Sequence, residues 1–199
     1  MPRVLSETDV ADFRERLCEA AERLFAERGP DAVTMRQLAS DLGVSPMTPY
    51  RYFEDKEDIL AAVRANAFNR FAEALEKARE SASGARACGM AVGEAYVSFA
   101  IEHPHAYKLM FDFNQPHVEN YPELLEAGQR AQKTMTGYIE DAMAEGLMDG
   151  DAVQIGLMNW AAIHGAVILE LGGMLPPGGA RKIYRGFDSA LLRGLRPQD

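Results

Sequence analysis

The sequence predicts an all-α fold, and three observations support this prediction. Apolar residues recur every three or four positions along most of the chain, which is the period of a helix with one buried face. No segment alternates apolar and polar residues as a half-buried strand does. Glycine and proline mark the breaks between the periodic segments, as in Gly29-Pro30. At 199 residues the chain can form one large domain or two small ones with a buried core.

The chain is acidic along its whole length. It has 21 Lys and Arg against 30 Asp and Glu, a formal net charge of −9, and each half of the sequence has an acidic excess. Such a chain does not coat nucleic acid indiscriminately, because its net field repels phosphate. Any affinity for DNA has to come from the local placement of basic and polar side chains, as in a site-specific binder.

The cysteines and the first residues indicate a cytoplasmic protein. Cys18 and Cys88 lie in helical patterns without the ligand spacing of a zinc site, so we expect reduced, buried thiols, with no metal and no cofactor. The opening run MPRVLSETDVADF turns acidic at once, unlike a secretory signal. We therefore expect a cytoplasmic location and no membrane partner.

One short stretch carries the most specific local signals. Thr34 stands three residues before Gln37, the spacing of a capping box that starts a short helix. Gly43 occupies the position where a helix end needs a left-handed residue. Ser45 is a second N-cap, with Pro46 at the first helical position, where a missing N–H is harmless. Helix, three-residue turn and helix together predict a DNA-reading helix-turn-helix.

The predicted second helix carries side chains suited to DNA. Most of its residues cannot be buried together, and hydroxyls and a guanidinium on a short exposed helix match phosphate oxygens and base edges. The alternatives are a packing role for Tyr50 and an ion pair with a neighbouring carboxylate for Arg51. The residues in question are Met47, Thr48, Tyr50, Arg51 and Tyr52.

This whole block resembles the N-terminal domain of the TetR family of transcriptional repressors. The resemblance rests on the run LGVSPMTPYRYFEDKEDIL, preceded by FRERLCEAAERLFAERGPDAVTMRQLA, and covers roughly residues 10–62. It implies a homodimer that holds two reading helices one DNA turn apart, about 34–36 Å. Carried over position by position, the DNA contacts of the family fall on Thr34, Arg36, Ser45, Met47, Thr48, Tyr50, Arg51, Tyr52 and Lys56.

These residue types suggest separate roles on DNA. Thr34 and Ser45, with the free N–H groups of the helix starts, make anion sites for phosphates, and Lys56 is placed to neutralise another phosphate. Arg36 or Arg51 is the candidate for a guanine contact.

Pro49 departs from the family pattern, in which many relatives have leucine. Proline removes the N–H that would close the first helical turn onto the carbonyl of Ser45. We therefore expect the recognition helix to start irregularly, which affects which of its side chains meet which bases.

Beyond this block the periodic segments predict a second, helical domain. A connector helix over residues 55–80 completes the first domain and is too long to serve that domain alone. We place a helix-turn-helix DNA-binding domain at residues 1–54 and a helical effector-binding and dimerisation domain at residues 55–199.

Residues 152–169 contain no charged side chain and are apolar nearly all round. Their length reaches the lower limit of a membrane span, but three polar residues interrupt the run and no basic anchors follow it directly. We expect a core helix that needs cover on every side. Helices at 152–172 and 180–194 are expected to meet their symmetry mates in a four-helix dimer interface.

A second, shorter resemblance lies in this half of the chain. Trp160, His164 and Gly165 form the pattern W-x3-HG, which is similar to TetR regulators with a WHG-type C-terminal domain. The run HPHAYKLMF resembles another part of that domain. The resemblance implies a C-terminal half that senses a ligand and dimerises.

Aromatic and methionine side chains of the second half exceed the needs of a minimal bundle. A cavity between helices that they line would bind a mostly apolar small molecule. The alternative is simple core packing for each residue, and a hydrogen-bonded core histidine for His164. The predicted effector-binding set is Phe68, Tyr96, Phe99, Tyr107, Met110, Phe111, Tyr138, Met158, Trp160 and His164.

Together the resemblances imply a ligand-responsive repressor that binds a palindromic operator and is released by a small, mostly apolar effector. The alternative is a dimeric regulator with no effector, or one that activates. An enzyme is not expected, because the sequence has no phosphate-binding loop, nucleophile motif or metal-ligand spacing. A helical interaction module that no longer reads DNA is a further alternative.

Overall fold

The computed structural model describes residues 7–112 and 118–195 of the chain. Their regular structure is entirely helical, with no strand among the described residues, which confirms the predicted all-α fold. The α-helices are α1 (Glu7–Arg28), α2 (Met35–Asp41), α3 (Lys56–Glu80), α4 (Ala85–Glu102), α5 (Pro104–Met110), α6 (Pro122–Ala144), α7 (Ala152–Leu171) and α8 (Gly179–Gly194). Short 3-10 helices span Pro30–Ala32, Pro49–Arg51 and Val118–Asn120.

The internal contacts of the chain divide it into two compact units. The first unit contains the described residues of Met1–Phe68 together with His105–Ala127. The second unit contains Asn69–Pro104 and the described residues of Gly128–Asp199. The described part of the predicted DNA-binding domain, residues 1–54, falls within the first unit, whereas α3 and α6 each contribute residues to both units.

The first unit is built around the inner faces of α1, α2 and the N-terminal part of α3. Its side chains follow the helical period of the sequence, and each large one contributes about 1.5–3 kcal/mol when fully buried. α5 adds Leu109 to the same cluster. The other buried side chains of this core include Leu17, Ala21, Leu24, Phe25, Val33, Leu38, Phe53, Ile59 and Val63.

Local hydrogen bonds set the start and the end of α2 as the sequence predicts. Thr34 Oγ1 accepts from the backbone N–H of Gln37 (3.3 Å), and Gln37 Oε1 accepts from the backbone N–H of Thr34 (2.8 Å). The capping box is therefore complete. Gly43 has a φ of +66°, the left-handed conformation that glycine adopts without a steric penalty.

Two glycines on α4 allow the second unit to close around buried tyrosines. The ring of Tyr138 lies against Gly89, and the ring of Tyr184 lies against Gly93. A Cβ atom at Gly93 would lie 2.0 Å from Cζ of Tyr184, which only glycine permits. Tyr184 is fully buried, and its hydroxyl donates to the carbonyl of Gly89 (2.9 Å). α8 is thereby fixed against α4.

Carboxylates cap the last two helices. Asp151 Oδ1 accepts from two backbone N–H groups in the first turn of α7 (2.9 and 3.1 Å). Glu170, near the end of α7, accepts from the backbone N–H groups of Gly178 (2.8 Å) and Ala180 (2.7 Å). A side chain of α7 therefore sets the start of α8, where a negative charge also favours the helix dipole.

α7 is apolar on every side but only partly covered by its own chain. By length and composition alone it could cross a membrane, a test that core helices of soluble proteins also pass. Only 33% of its most apolar 18-residue stretch is buried inside the chain. The large apolar side chains left exposed on α7, on α8 and between them are Val153, Leu157, Met158, Ile168, Leu169, Leu171, Met174 and Ile183.

The glycine contact on α4 gives a prediction about stability. We expect Gly93→Ala to lower the free energy of unfolding by about 1–3 kcal/mol, because the new methyl group overpacks a ring that cannot swing away. The matched control is Gly128→Ala on α6, outside the expected dimer interface, where a Cβ would meet no atom within 4 Å. That control is expected to keep or gain stability, by up to about 1 kcal/mol, because alanine favours helix. Urea unfolding followed by circular dichroism measures both, and equal midpoints for the two variants would contradict the packing described.

Candidate nucleic-acid interface

Residues 45–52, which we call the reading segment, form a turn followed by the 3-10 helix Pro49–Arg51. From the sequence we expect a second helix here, with Ser45 as its N-cap and an irregular beginning. The described backbone has no α-helix there, only the 3-10 helix and a single i→i+4 bond from Phe53 N to the carbonyl oxygen of Pro49 (3.1 Å), which corrects that expectation. Pro49 has no N–H to bond the Ser45 carbonyl, so that carbonyl accepts from Thr48 N instead (2.8 Å) and the backbone tightens to the 3-10 pattern.

A 3-10 helix repeats every three residues, so side chains three positions apart in this segment lie on the same side, either outward or toward the protein. Met47 and Tyr50 are three residues apart and are 67% and 49% exposed. Pro49 and Tyr52, also three apart, are buried and half-buried. The other predicted contacts on the segment are Ser45 and Arg51, which are exposed, and Thr48, which is half-buried.

Contacts with α1 hold the reading segment in place. The ring of Tyr52 stacks on Phe13, with 4.3 Å between the ring centroids. Arg14 Nη1 donates to the carbonyl oxygen of Tyr52, and the Arg14 guanidinium lies 4.0 Å from the ring centroid of the buried Phe53. Tyr52 thus has a packing role, and Arg14 is a positioning residue that was not predicted from the sequence. The helical period of α1 gave no signal for it, because a charged residue beside an apolar stripe is ordinary.

The start of α2 presents two more of the predicted contacts. Thr34 and Arg36 are both exposed. The Thr34 hydroxyl lies 3.0 Å from Gln37 Oε1 and also accepts the backbone N–H of Gln37, so it is committed to the capping box. Arg36, exposed in the first turn, therefore provides the positive charge at this end of α2.

Lys56 starts α3 and is tied to the turn that follows α1. Its Nζ donates to the carbonyl oxygen of Pro30 (2.7 Å), and the side chain is half-buried. An ammonium group has three N–H donors, so one bond to a carbonyl leaves two for a phosphate. Lys56 therefore has a structural role besides the predicted contact.

The carboxylates that follow the reading segment serve the start of α3. Asp55 Oδ1 accepts from the backbone N–H of Asp58 (2.9 Å), and Asp58 Oδ2 accepts from the backbone N–H of Glu54 (3.1 Å). Side-chain oxygens in these positions satisfy the free N–H groups of a helix start and favour its dipole. The acidic cluster next to the predicted DNA contacts is thus explained by capping.

Part of the predicted effector set meets in the second unit. Trp160 Nε1 donates to the hydroxyl oxygen of Tyr96 (3.2 Å), which also lies 3.2 Å from Nδ1 of His164. Burial lowers the pKa of His164, because a charged imidazolium is penalised away from water. A cleft adjoins this group, with about 230 Å³ of empty space when the open solvent at its mouth is included. The centre of a water molecule can occupy only about 10 Å³ of this space. The cleft is lined by Val92, Gly93, Tyr96, Met135, Tyr138, Asn159, Trp160 and Ile163.

Two other members of the predicted set also belong to the second unit. Phe99 is buried and packs edge-on against Phe71, with 5.2 Å between the ring centroids. Met158 is 47% exposed on α7 and points away from the core of its unit. Neither residue lines the cleft.

The remaining four members belong to the first unit. Phe111 lies 5.8 Å from Phe68 and 4.9 Å from Tyr107, measured between ring centroids. Tyr107 and Met110 are fully buried. The predicted set is therefore divided between two units, and only Tyr96, Tyr138 and Trp160 share one cleft.

Two buried polar residues were not assigned from the sequence. Asn159 is 6% exposed, and its Nδ2 donates to the hydroxyl oxygen of Tyr138. Arg64 is 4% exposed and its Nε donates to the carbonyl oxygen of Leu109 (3.1 Å); burial lowers the pKa of Arg64 to about 10. In the sequence, each of them is a polar residue inside an apolar helical pattern. Such a residue needs a hydrogen-bond partner, but the pattern does not show which residue that partner is.

Comparison with known proteins agrees with this geometry. Residues 17–63 match the family model for bacterial regulatory proteins of the tetR family. Residues 90–193, more than half of the chain, match the family model for a tetracyclin repressor-like C-terminal domain.

Individual relatives extend the match to the whole chain. The HTH-type transcriptional repressor KstR2 of Mycolicibacterium smegmatis is 27% identical over 70% of this chain and 67% of its own. A solved structure of a protein with unknown function from Rhodococcus sp. RHA1 is 32% identical, with a TM-score of 0.82 over 99% of this chain and 100% of that one. A regulatory protein in the tetR family from Rhodococcus RHA1 shares the fold, with 22% identity and a TM-score of 0.73 over 94% of this chain and 98% of that one. The chain therefore belongs to the TetR family, and it is a DNA-binding transcriptional regulator rather than an enzyme.

Proposed function

We propose that this regulator is a cytoplasmic repressor that binds a palindromic operator as a homodimer and is released by a small, mostly apolar effector. The observation that carries the proposal is the reading segment, in which Met47, Tyr50 and Arg51 are exposed on a backbone fixed to α1. A backbone that is already fixed suits groove contacts, because little further backbone entropy is lost on binding. A repressor among the relatives, KstR2, supports the direction of regulation.

On DNA the contacts divide by chemistry. Arg51 and Arg36 carry guanidinium groups that match the acceptors of guanine. Met47 and Thr48 face base edges and thymine methyl groups, while the hydroxyls of the two tyrosines donate to phosphates. The complete proposed contact set is Thr34, Arg36, Ser45, Met47, Thr48, Tyr50, Arg51, Tyr52 and Lys56.

The homodimer is proposed to form through α7 and α8. The support for this is the exposed apolar surface of the two helices, since a monomer rarely leaves so large a patch uncovered. A two-fold interface uses the same patch on both subunits, so each α7 would cover the other. The predicted ranges 152–172 and 180–194 agree with these helices to within one residue at each end.

Release by the effector requires coupling between the two units. α3 contributes residues to both, so a shift of this helix would alter the separation of the two reading segments in the dimer. The effector has to bind the DNA-free form more tightly, and DNA must weaken effector binding by the same factor. Calorimetry that gives equal effector affinity with and without operator would reject this mechanism.

One observation favours a second candidate function, a dimeric regulator without an effector. The cleft in the second unit admits the centre of a water molecule in only about 10 Å³, far below the volume of a usual ligand pocket. Thermal shift screening against small apolar molecules distinguishes the two functions, because a bound effector raises the unfolding temperature.

The proposal as a whole is tested by a mobility shift with the DNA that flanks the gene, at low and moderate salt. We expect binding that survives moderate salt and an excess of unrelated duplex. Phosphate contacts alone lose affinity steeply with salt and do not distinguish sequences. Binding to any duplex, lost at moderate salt, would contradict a site-specific regulator.

Arg51 gives a sharper prediction. Arg51→Ala is expected to weaken operator binding by about 1–3 kcal/mol, roughly 5- to 150-fold, because a bidentate base contact is lost. Lys133→Ala, which removes one positive charge from an exposed site on α6, is the matched control. Fluorescence anisotropy with operator and with a scrambled duplex measures both variants. If Arg51→Ala weakens the two duplexes equally, Arg51 contacts phosphate and does not read a base.

The dimer interface is tested by placing a charge on α7. Leu157 is 39% exposed, and Leu157→Lys should give monomers at micromolar concentration, because two unpaired ammonium groups buried near a two-fold axis cost about 3–5 kcal/mol or more. The matched control is Leu125→Lys on α6, since Leu125 is 42% exposed and lies outside the proposed interface. Sedimentation velocity measures both, and a dimeric Leu157→Lys variant would remove α7 from the interface.

A further inference from the structure

The described methionines of the chain differ sharply in exposure. Met47, on the reading segment, is 67% exposed, and Met158 and Met174, on and after α7, are 47% and 68% exposed. The last two belong to the apolar surface that the proposed dimer covers. The fully or nearly buried methionines are Met35, Met110, Met135 and Met148. Among the described residues of the first unit, Met47 is therefore the one methionine open to solvent.

The backbone holds Met47 on the outer side of the reading segment. Its N–H donates to Ser45 Oγ (3.4 Å), and the N–H of Thr48 donates to the carbonyl oxygen of Ser45 (2.8 Å). The side chain that leaves this turn is a flexible thioether with a polarizable sulfur. A small oxidant in solution therefore reaches the sulfur at the place where contact with base edges is proposed.

The thiols of the chain do not compete for such an oxidant in the first unit. The thiolate, and not the thiol, is the reactive form of cysteine. Cys18 is buried, and burial raises its pKa to about 11, so almost none of it is thiolate at neutral pH. Cys88 is half-buried in the second unit, where its Sγ donates to the carbonyl oxygens of Arg79 and Ala82 (3.6 Å each). The sulfur of Met47 is thus the most accessible oxidisable sulfur among the described residues of the first unit.

We propose that Met47 is a modification site, and that conversion of its thioether to the sulfoxide by hydrogen peroxide weakens the binding of operator DNA. The sulfur attacks one oxygen of the peroxide, and the O–O bond breaks. The sulfur gains that oxygen and is oxidised by two electrons. The proton of the transferred oxygen passes to the departing hydroxide, which leaves as water. Sulfoxide reductases reverse this oxidation, so the modification is a reversible one.

The sulfoxide changes what Met47 presents to the groove. A thioether is apolar and suits the methyl group of thymine, whereas a sulfoxide is polar and carries an acceptor oxygen. The atom beside the thymine methyl group is O4, which is itself an acceptor, and the phosphates are acceptors as well. An acceptor that faces acceptors loses its water without gaining a donor, so the affinity for DNA falls.

This inference rests on the proposed function, because Met47 has to lie against DNA for its oxidation to change the affinity. The two fail separately. A protein that binds no duplex from the DNA that flanks the gene would reject the proposed function. A protein that binds such a duplex specifically, with the same affinity before and after complete oxidation of Met47, would reject this inference and leave the proposed function intact.

The test treats the full-length protein with increasing hydrogen peroxide. Peptide mass spectrometry gives the oxidised fraction of each methionine, and fluorescence anisotropy gives the affinity for the operator duplex. We expect Met47 to be oxidised well before the buried Met35. The affinity should fall in step with the Met47 sulfoxide, by roughly tenfold at completion, the ratio for one polar group left without a partner. Oxidation of Met35 as fast as that of Met47, or an affinity that does not follow the Met47 sulfoxide, would overturn the proposal.

Two variants assign the effect to one sulfur, and each is compared with itself before and after peroxide. Met47→Leu has no sulfur to oxidise, so its affinity after treatment should equal its own affinity before. Met174→Leu is the matched control, because Met174 is as exposed as Met47 and lies outside the proposed DNA contacts. This control should lose affinity by the same factor as the unsubstituted protein. A loss in Met47→Leu as large as that in the control would place the responsible oxidation elsewhere.

A second pair of measurements needs no variant. Bound operator duplex should slow the oxidation of Met47 relative to that of Met174, because the groove covers the sulfur. Treatment of the oxidised protein with sulfoxide reductases for both epimers should restore the affinity. Equal rates at Met47 with and without operator, or a loss of affinity that the reductases do not reverse, would contradict the assignment.

Discussion

The incomplete burial of α7 is the constraint on which the rest of this regulator depends. The helix is apolar on every side, yet only about a third of its most apolar 18-residue stretch is buried inside its own chain. Leaving one leucine-sized side chain in water forgoes about 1.5–3 kcal/mol, and several such residues are involved. In the proposed homodimer a second copy of the same surface would satisfy this requirement with a two-fold axis, which the proposed palindromic operator also requires. The apolar surface and the DNA geometry thus point to the same assembly.

The sequence predicts the parts of the fold that are determined locally. Thr34 and Gln37 form the capping box, and Gly43 adopts the left-handed conformation, because these outcomes depend on residues only a few positions apart. The reading segment was harder to predict. Pro46 and Pro49 remove two backbone donors within four residues, which predicts an irregular start, but the pattern does not show that the Ser45 carbonyl would bond Thr48 N and form a 3-10 helix in place of an α-helix.

The candidate sites show the same limit. Helical period assigns a residue to a buried face but does not name the residues it meets there. Phe68 and Tyr96 therefore entered one predicted set, although the packing places them in different units. In the same way, Lys56 has the charge and position for a phosphate contact, and the carbonyl of Pro30 that it also serves is 26 residues away. The chemistry of each side chain could be predicted from the sequence. The partners that lie far away in the sequence could not.

The shape of the reading segment limits how this regulator can distinguish its operator. A 3-10 turn rises about 2 Å per residue and repeats every three residues, so Met47 and Tyr50 lie on one side while Pro49 and Tyr52 face the protein. On the proposed operator, fewer side chains would then reach base edges than from an α-helix of two or three turns. In the proposed complex, specificity would then be shared with contacts from the start of α2, where Arg36 is exposed, and with the spacing of the two half-sites. Arg14 holds the backbone of the segment against α1, so the proposed contacts would cost little further backbone entropy, which partly compensates for its short length.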